Sequence, residues 1–278
     1  MSAEVIGDDA AVRAGAPILE VEGLSVATRD GSTLVRDVSF SLAPGERLSL
    51  IGESGSGKSL TSFALTGLLP EGLSSSGSVV LDGVQVVGAR ERDLVPLRGR
   101  VASTVFQEPM TALDPLMRLG RQVAEPLRRH LGLRGDALRS AVREALAEVG
   151  LPEPERIARA YSWEISGGQR QRVAIAAALA CRPRLLIADE PTTALDVTVQ
   201  AEVLALIERL VAERGMALLF VSHDLAVVSR MAQRALVLRD GRVIEEGPVQ
   251  RLLRAPQAPY TAELVRSARE LDAALEVR

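Results

Sequence analysis

Lys58 is the only lysine in a chain of 278 residues that otherwise uses arginine for positive charge. It stands in Gly52-Glu53-Ser54-Gly55-Ser56-Gly57-Lys58-Ser59, the pattern G-x4-G-K-[ST] of loops that cradle nucleotide phosphates. Each residue type has a physical task there. The glycines let backbone N–H groups turn inward and approach phosphate oxygens closely. The helix expected to follow adds its positive N-terminal end. The lysine brings a point charge to the β- and γ-phosphates, where the planar fork of arginine would fit badly. The serine hydroxyl can ligate Mg²⁺. The competing reading is a fortuitous glycine-rich turn. At average residue frequencies the pattern arises by chance roughly once per hundred chains of this length, and here it also falls between a predicted strand and a predicted helix.

Two acids supply the complement. Leu185-Leu186-Ile187-Ala188 is an apolar strand that ends in Asp189-Glu190. At the edge of a parallel sheet beside a phosphate loop, the first acid should hold Mg²⁺, usually through water. The second is placed to polarise an attacking water. Alone, the pair would read as a solvated acidic turn; beside the loop it reads as chemistry. A second candidate anion site is Ser166-Gly167-Gly168-Gln169, which follows Ile165 and opens a predicted helix over 170–180. Small residues at a helix N-terminus leave free N–H groups and a positive dipole end. Alone, this is an ordinary helix cap.

The elements that must position these residues follow from periodicity. Strand-like runs cover 18–27, 34–42 and 47–51, separated by Asp30-Gly31 and Pro44-Gly45, both strong turn signals. A helix is expected over 58–69, a loop over 74–77, a hairpin of 78–81 with 84–87 across Asp82-Gly83, and a strand over 101–106. From about 108 to 180 helical spacing takes over, as in Val142, Leu146 and Val149 after Asp136. Strand and helix then alternate: strand 185–188, helix 197–213, strand 217–221, helix 225–232, and a hairpin of 235–238 with 242–245 across Asp240-Gly241. Such alternation predicts a parallel α/β sheet. The expected organisation is a tail over 1–17, a nucleotide-binding domain over 18–253 with a helical insertion at about 108–180, and a helical, peripheral extension over 254–278.

Composition narrows the classes. Hydrophobic residues are 47% and charged residues 25%, ordinary values for a globular chain and too apolar for a disordered or fibrous one. A net charge of −3 advertises no polybasic surface for nucleic acid. One cysteine, Cys181, excludes an internal disulfide and an all-cysteine zinc or iron–sulfur site. No apolar run approaches the 18 or more residues of a bilayer span, and the first 17 residues lack the apolar core of a signal peptide. The expectation is a soluble, intracellular protein.

Taken together, the motifs resemble the ATP-binding subunit of an ATP-binding cassette (ABC) transporter. Residues 52–59 match its Walker A motif, 185–190 its Walker B motif, and Ser166-Gly167-Gly168-Gln169 its signature. Gln107 matches the Q-loop, Ala194-Leu195-Asp196 the D-loop, and His223 in Val221-Ser222-His223-Asp224 the switch histidine. The resemblance runs from about Ile18 to Leu264. Within that family the chain looks like the peptide/nickel uptake group, on Phe106-Gln107-Glu108-Pro109-Met110-Thr111-Ala112-Leu113-Asp114-Pro115, on the segment from Asp189 to Gln200, and on Pro259-Tyr260-Thr261 with Leu264. A phosphate-loop kinase or GTPase would leave the signature and His223 unexplained. A non-transport ABC ATPase acting on DNA or ribosomes is disfavoured by the single cassette. It is further disfavoured by the balanced charge over 108–164, nine arginines against nine acids.

The resemblance implies a fold and a set of roles. The fold is an α/β phosphate-loop ATPase with a mixed sheet core, an antiparallel β subdomain and a helical insertion. ATP and Mg²⁺ are the implied ligands. Lys58 and the loop amides would hold the β- and γ-phosphates, while Ser59, Gln107 and Asp189 organise Mg²⁺. Glu190 would polarise water, and His223 would contact the γ-phosphate. Ser166, Gly167, Gly168 and Gln169 would close on the ATP of a second ATP-binding subunit, with Asp196 at the seam. The implied partners are two membrane permease subunits, that second ATPase, and indirectly an extracytoplasmic binding protein, with the chain on the cytoplasmic face of the inner membrane. Peptide is the first-choice cargo, nickel or a metal chelate the alternative. The chain departs from the family pattern in four places. The signature begins with Ile165 rather than leucine, and Tyr161-Ser162-Trp163-Glu164 stands where a Pro-His pair is usual. Thr28 falls where an aromatic ring usually stacks on adenine. No cysteine follows Cys181, so the C-terminal iron–sulfur cluster of many relatives cannot form.

Overall fold

A computed structural model describes residues 16–106, 113–192 and 196–276. The first strands alternate apolar and polar residues and so can bury one face only. β1 (Leu19–Thr28) pairs antiparallel with β2 (Thr33–Leu42) and with β4 (Leu73–Leu81), and a short β5 (Val84–Gln85) completes a four-stranded sheet in the order β2-β1-β4-β5. Residues 74–77, expected as a loop, lie inside β4: Ser74, Ser75 and Ser76 face Ala27, Val26 and Ser25. Serine is a poor strand signal, and the pairing is set by tertiary contact instead. Gly77 (φ 91) sits where a Cβ would come within 2.4 Å of the Gly23 carbonyl, so only glycine admits this crossing.

The second sheet carries the chemistry. β3 (Arg47–Ile51) lies between β8 (Ala217–Ser222) and β9 (Arg234–Arg239) in the order β10-β9-β3-β8-β7-β6. Here β6 is Ala102–Val105, β7 is Leu185–Asp189 and β10 is Arg242–Pro248. β6, β7, β8, β3 and β9 run parallel, and β10 returns antiparallel. These strands are apolar on both faces, as a covered parallel sheet requires. Leu48, Leu50, Ile187, Leu219 and Leu236 point into one core with the antiparallel sheet and α1 (Lys58–Leu65). Ile51, Leu186, Leu218, Phe220 and Val237 point into the other, with the helices. Truncating a fully buried residue such as Leu218 or Phe220 to alanine should cost about 2–5 kcal/mol.

α1 ends at Leu65 rather than Leu69, because Gly67 takes φ +66 against Leu94 and Arg98. After α2 (Glu91–Leu94) and β6, the chain builds α3 (Leu119–Leu131), α4 (Gly135–Glu148), α5 (Pro154–Arg159), a 3₁₀ turn (Ser162–Glu164) and α6 (Gly167–Leu179). Leu119, Val123, Leu127, Leu146, Ile157 and Val173 form their shared apolar face. α7 (Val197–Arg214) and α8 (Leu225–Met231) cover the sheet, and α9 (Val249–Arg254) leads to α10 (Pro259–Glu276). The start of α10 is not peripheral as expected: Tyr260 and Val265 are buried in the main core. No helix among the described residues is long and apolar enough to cross a membrane.

Candidate functional site

Sheet register brings the candidate residues to one edge. Ile51 pairs with Ser222, and Asp189 with Val221. The next residues, Gly52, Glu190 and His223, therefore leave the sheet side by side at its C-terminal end, where open α/β sheets bind ligands.

The loop is shaped by glycine and held from several sides. A Cβ on Gly52 would lie 2.3 Å from the Leu238 carbonyl and 2.7 Å from Ser56 Oγ. Gly57 caps α1 in the left-handed region at φ 99, with no side chain satisfying the first helical amides. Those amides stay available to an anion, aided by the helix dipole. Ser56 Oγ is buried and finds no hydrogen-bond partner among the described residues, so a polar atom inside the cradle is left for a ligand. The Gly241 amide donates to the Ser56 carbonyl at 3.1 Å, tying the β9–β10 turn to the loop. Lys58 is 5% exposed and donates through Nζ to the carbonyls of Gly52 at 2.8 Å and Glu53 at 2.9 Å. Burial pushes its pKa down, against the pull of Glu190, Asp189 and Glu53.

Ser59 Oγ donates to Asp189 Oδ1 at 3.1 Å. Burial raises the Asp189 carboxyl above its usual range, partly offset by the Ser59 hydrogen bond and aggravated by Glu190. A hydroxyl and a carboxylate at this spacing suit Mg²⁺, which takes hard oxygen ligands and commonly keeps one or two from protein and the rest from water and phosphate. Among the described residues no group of three or more His, Cys, Asp or Glu gathers to cage a metal. Glu190 adopts φ 45, a backbone conformation L residues rarely take and one that costs on the order of 1–3 kcal/mol. Its Oε1 lies 3.2 Å from His223 Nδ1. Glu190 is largely covered while His223 is 57% exposed, so the imidazole is on the solvent side of the pair. A covered carboxylate beside an imidazole can orient a water and hold a charged oxygen.

The second cluster lies around α6. Ser166 Oγ accepts from the Gln169 amide at 3.2 Å, and Gln169 Oε1 accepts from the Ser166 amide at 3.1 Å, a complete capping box. Asp196 caps α7 by accepting from the Val199 amide at 3.0 Å. A Cβ on Gly168 would lie 2.7 Å from Val199 Cγ1, so the two helix starts are in contact through Gly168. Among the described residues Gly167 meets an arginine tip alone, at 3.9 Å.

The structure thus groups Gly52, Glu53, Ser54, Gly55, Ser56, Gly57, Lys58, Ser59, Asp189, Glu190 and His223 in one place, and Ser166, Gly167, Gly168, Gln169 and Asp196 in another. Thr28 belongs to neither by contact; its hydroxyl bonds Asp30 and the Ser32 carbonyl in the β1–β2 turn. Gln107 lies outside the described residues. One residue that sequence reasoning missed joins the clusters: Gln171, fully buried in α6, donates to the Pro191 carbonyl at 2.6 Å, one residue beyond Glu190. A polar residue on the inward face of an otherwise apolar helical stretch was its only signal.

A glycine loop between a central parallel strand and a helix, with an acid pair on a nearby strand end, defines a phosphate-loop nucleotide-binding protein. Comparison with known proteins carries this further. The sequence profile described as ABC transporter matches residues 35–193, more than half of the chain, and the chain belongs to that family as an ATPase. It is 45% identical over 259 residues to the oligopeptide transport ATP-binding protein OppD of Salmonella typhimurium, covering 92% of this chain and 77% of the relative. It is 48% identical over 254 residues to the peptidoglycan transport ATP-binding protein YejF of Agrobacterium fabrum, covering 90% of this chain and 46% of that one. Among solved structures, a dimeric ATP-binding cassette in a post-hydrolysis state with ADP and Pi superposes with a TM-score of 0.74 at 29% identity, over 83% of this chain and 98% of that one.

Proposed function

We propose that this chain is the ATP-hydrolysing subunit of an importer for peptides. The observation that carries the reading is the pairing of a complete phosphate-loop and acid cluster with 45% identity to an oligopeptide transport ATP-binding protein over 92% of the chain. In this reading the amides of residues 52–59 and Lys58 hold the β- and γ-phosphates. Lys58 exchanges its loop carbonyls for phosphate oxygens. Ser59, Asp189 and Gln107 hold Mg²⁺, which when bound neutralises charge developing on the phosphates. Glu190 takes the proton side of the attacking water, and His223 steadies the carboxylate and the γ-phosphate oxygen. Thr28 leaves adenine without an aromatic platform, a loss on the order of 1 kcal/mol.

Ser166, Gly167, Gly168 and Gln169 serve a different nucleotide, the one held by a second ATP-binding subunit, with Asp196 at the seam between the two chains. Two permease subunits receive the motion through the helices of residues 119–179, at the cytoplasmic face of the inner membrane. An extracytoplasmic binding protein delivers the cargo. The relatives named for oligopeptide and peptidoglycan transport speak for cargo with peptide bonds rather than nickel.

Recovery of tagged chain from gently solubilised native membranes tests this. The expected companions are two permease subunits, a second ATPase and a binding protein that takes peptides. Companions confined to nucleic-acid or ribosomal proteins would overturn the transport role. A binding protein that takes nickel or a metal chelate would overturn the cargo.

A further inference from the structure

The start of α10 reaches the phosphate loop. The Glu53 amide donates to Tyr260 Oη at 3.1 Å, across more than 200 residues of sequence. Tyr260 is 5% exposed, and the Arg239 guanidinium lies over its ring at 4.7 Å. Behind it, Glu245 of β10 accepts from the amides of Gln257 and Ala258 at 3.0 Å each and pairs with Arg251 at 3.3 Å. These bonds fix the entry to the helix, and buried Val265 fastens its next turn to the core.

The peptide around Glu53 is therefore pinned on two sides. Lys58 Nζ holds the Gly52 and Glu53 carbonyls, and Tyr260 holds the Glu53 N–H. The two pins differ in what a nucleotide does to them. A lysine that turns to phosphate releases its carbonyls, whereas the tyrosine has no part in binding phosphate and can stay. We infer that Tyr260 is a positioning residue for ATP binding, which keeps the crown of the phosphate loop in its binding shape while Lys58 changes partners. The inference rests on the reading of residues 52–59 as the phosphate cradle. It makes the C-terminal helix a working part of the nucleotide site rather than an appendage. Burial also raises the Tyr260 pKa, so the phenol keeps its proton at working pH and remains a neutral acceptor.

The test is Tyr260→Phe in the assembled complex. The ring, its packing and the Arg239 contact remain, and only the hydroxyl goes. One lost hydrogen bond in the loop should weaken ATP binding about 3- to 10-fold. It should raise the KM for ATP by a similar factor and leave kcat nearly unchanged. A merely structural role would do the reverse, lowering kcat through loss of active protein at constant KM. Amide exchange of the peptide covering Glu53 should also quicken, with the core strands unchanged. Unchanged KM and unchanged exchange at Glu53 would overturn the inference. If Tyr260→Phe melts early, Glu245→Gln tests the same link from its far end: it leaves Tyr260 in place and loosens the helix entry. There, quicker exchange at Glu53 with a raised KM at constant kcat supports the inference, and quicker exchange at Glu53 with an unchanged KM overturns it. Lys58→Ala run alongside separates the two readings, since normal ATP affinity in that variant would sink the phosphate cradle itself.

Discussion

Two helices in this molecule begin with small residues where an anion is expected, and they are finished differently. α1 starts behind Gly57, in the left-handed region, with no side chain on its first amides. α6 starts behind Ser166, whose hydroxyl and amide are already engaged with Gln169 in a closed capping box. The first end is open and preshaped: Gly52 is forced by backbone contact, Gly55 and Gly57 by positive φ, and Tyr260, Gly241 and Lys58 brace its loop. The second is satisfied by its own residues. An end that needs no ligand to be stable can wait for a nucleotide carried by another chain, whereas an open end must meet its nucleotide at home.

Breaking the open end should have the largest effects. Glu190→Gln keeps the shape and hydrogen bonding but removes the base, so hydrolysis in a single-turnover assay should fall about 10²- to 10⁴-fold while ATP still binds. Lys58→Ala removes charge-assisted bonds to phosphate and should weaken ATP affinity about 10- to 100-fold by equilibrium titration. The closed end should respond in stability first. Gly168→Ala drives a methyl into Val199 and should cost about 1–3 kcal/mol in denaturant unfolding. Ser166→Ala loses the cap, about 1 kcal/mol, while Ser166→Gly should lose only a few tenths.

The mildest change in stability concerns Asp189, whose folded-state pKa burial raises above its ordinary value. The folded chain then holds that proton more tightly than the unfolded chain. Stability therefore falls as pH rises between the two pKa values, and the full cost is present above both. Asp189→Asn removes this cost. The nucleotide-free variant should melt at a higher temperature than the parent at pH 8, with the difference shrinking toward acid pH. It should also lose Mg²⁺-dependent ATP binding. A lower melting temperature at pH 8 would contradict the burial assignment.

Much of the open end is legible in the sequence. Its residue types are dictated by phosphate chemistry, and the apolar strand before Asp189 announces where the acids must go. What could not be read were supports that depend on distant contact. Tyr260 carries no local signal of reaching Glu53. Gly241 reads as a turn glycine and gives no hint that its amide holds Ser56. Serines 74–76 look like a loop because their strand character comes from β1, not from themselves. Gln171 is a polar residue whose burial only the packing of α6 against the end of β7 reveals. In the helical region the spacing of Val142 and Leu146 gave α4 directly, while Arg134 rather than Asp136 precedes its first turn.

The most direct measurement is amide exchange at the two helix starts in the Glu190→Gln chain, with and without ATP, alone and in the assembled transporter. The account predicts that ATP protects residues 52–59 in both settings, and residues 166–170 only when a second ATP-binding subunit is present. Protection of 166–170 in the isolated monomer, or its absence in the assembly, would contradict the division of the two ends between two nucleotides.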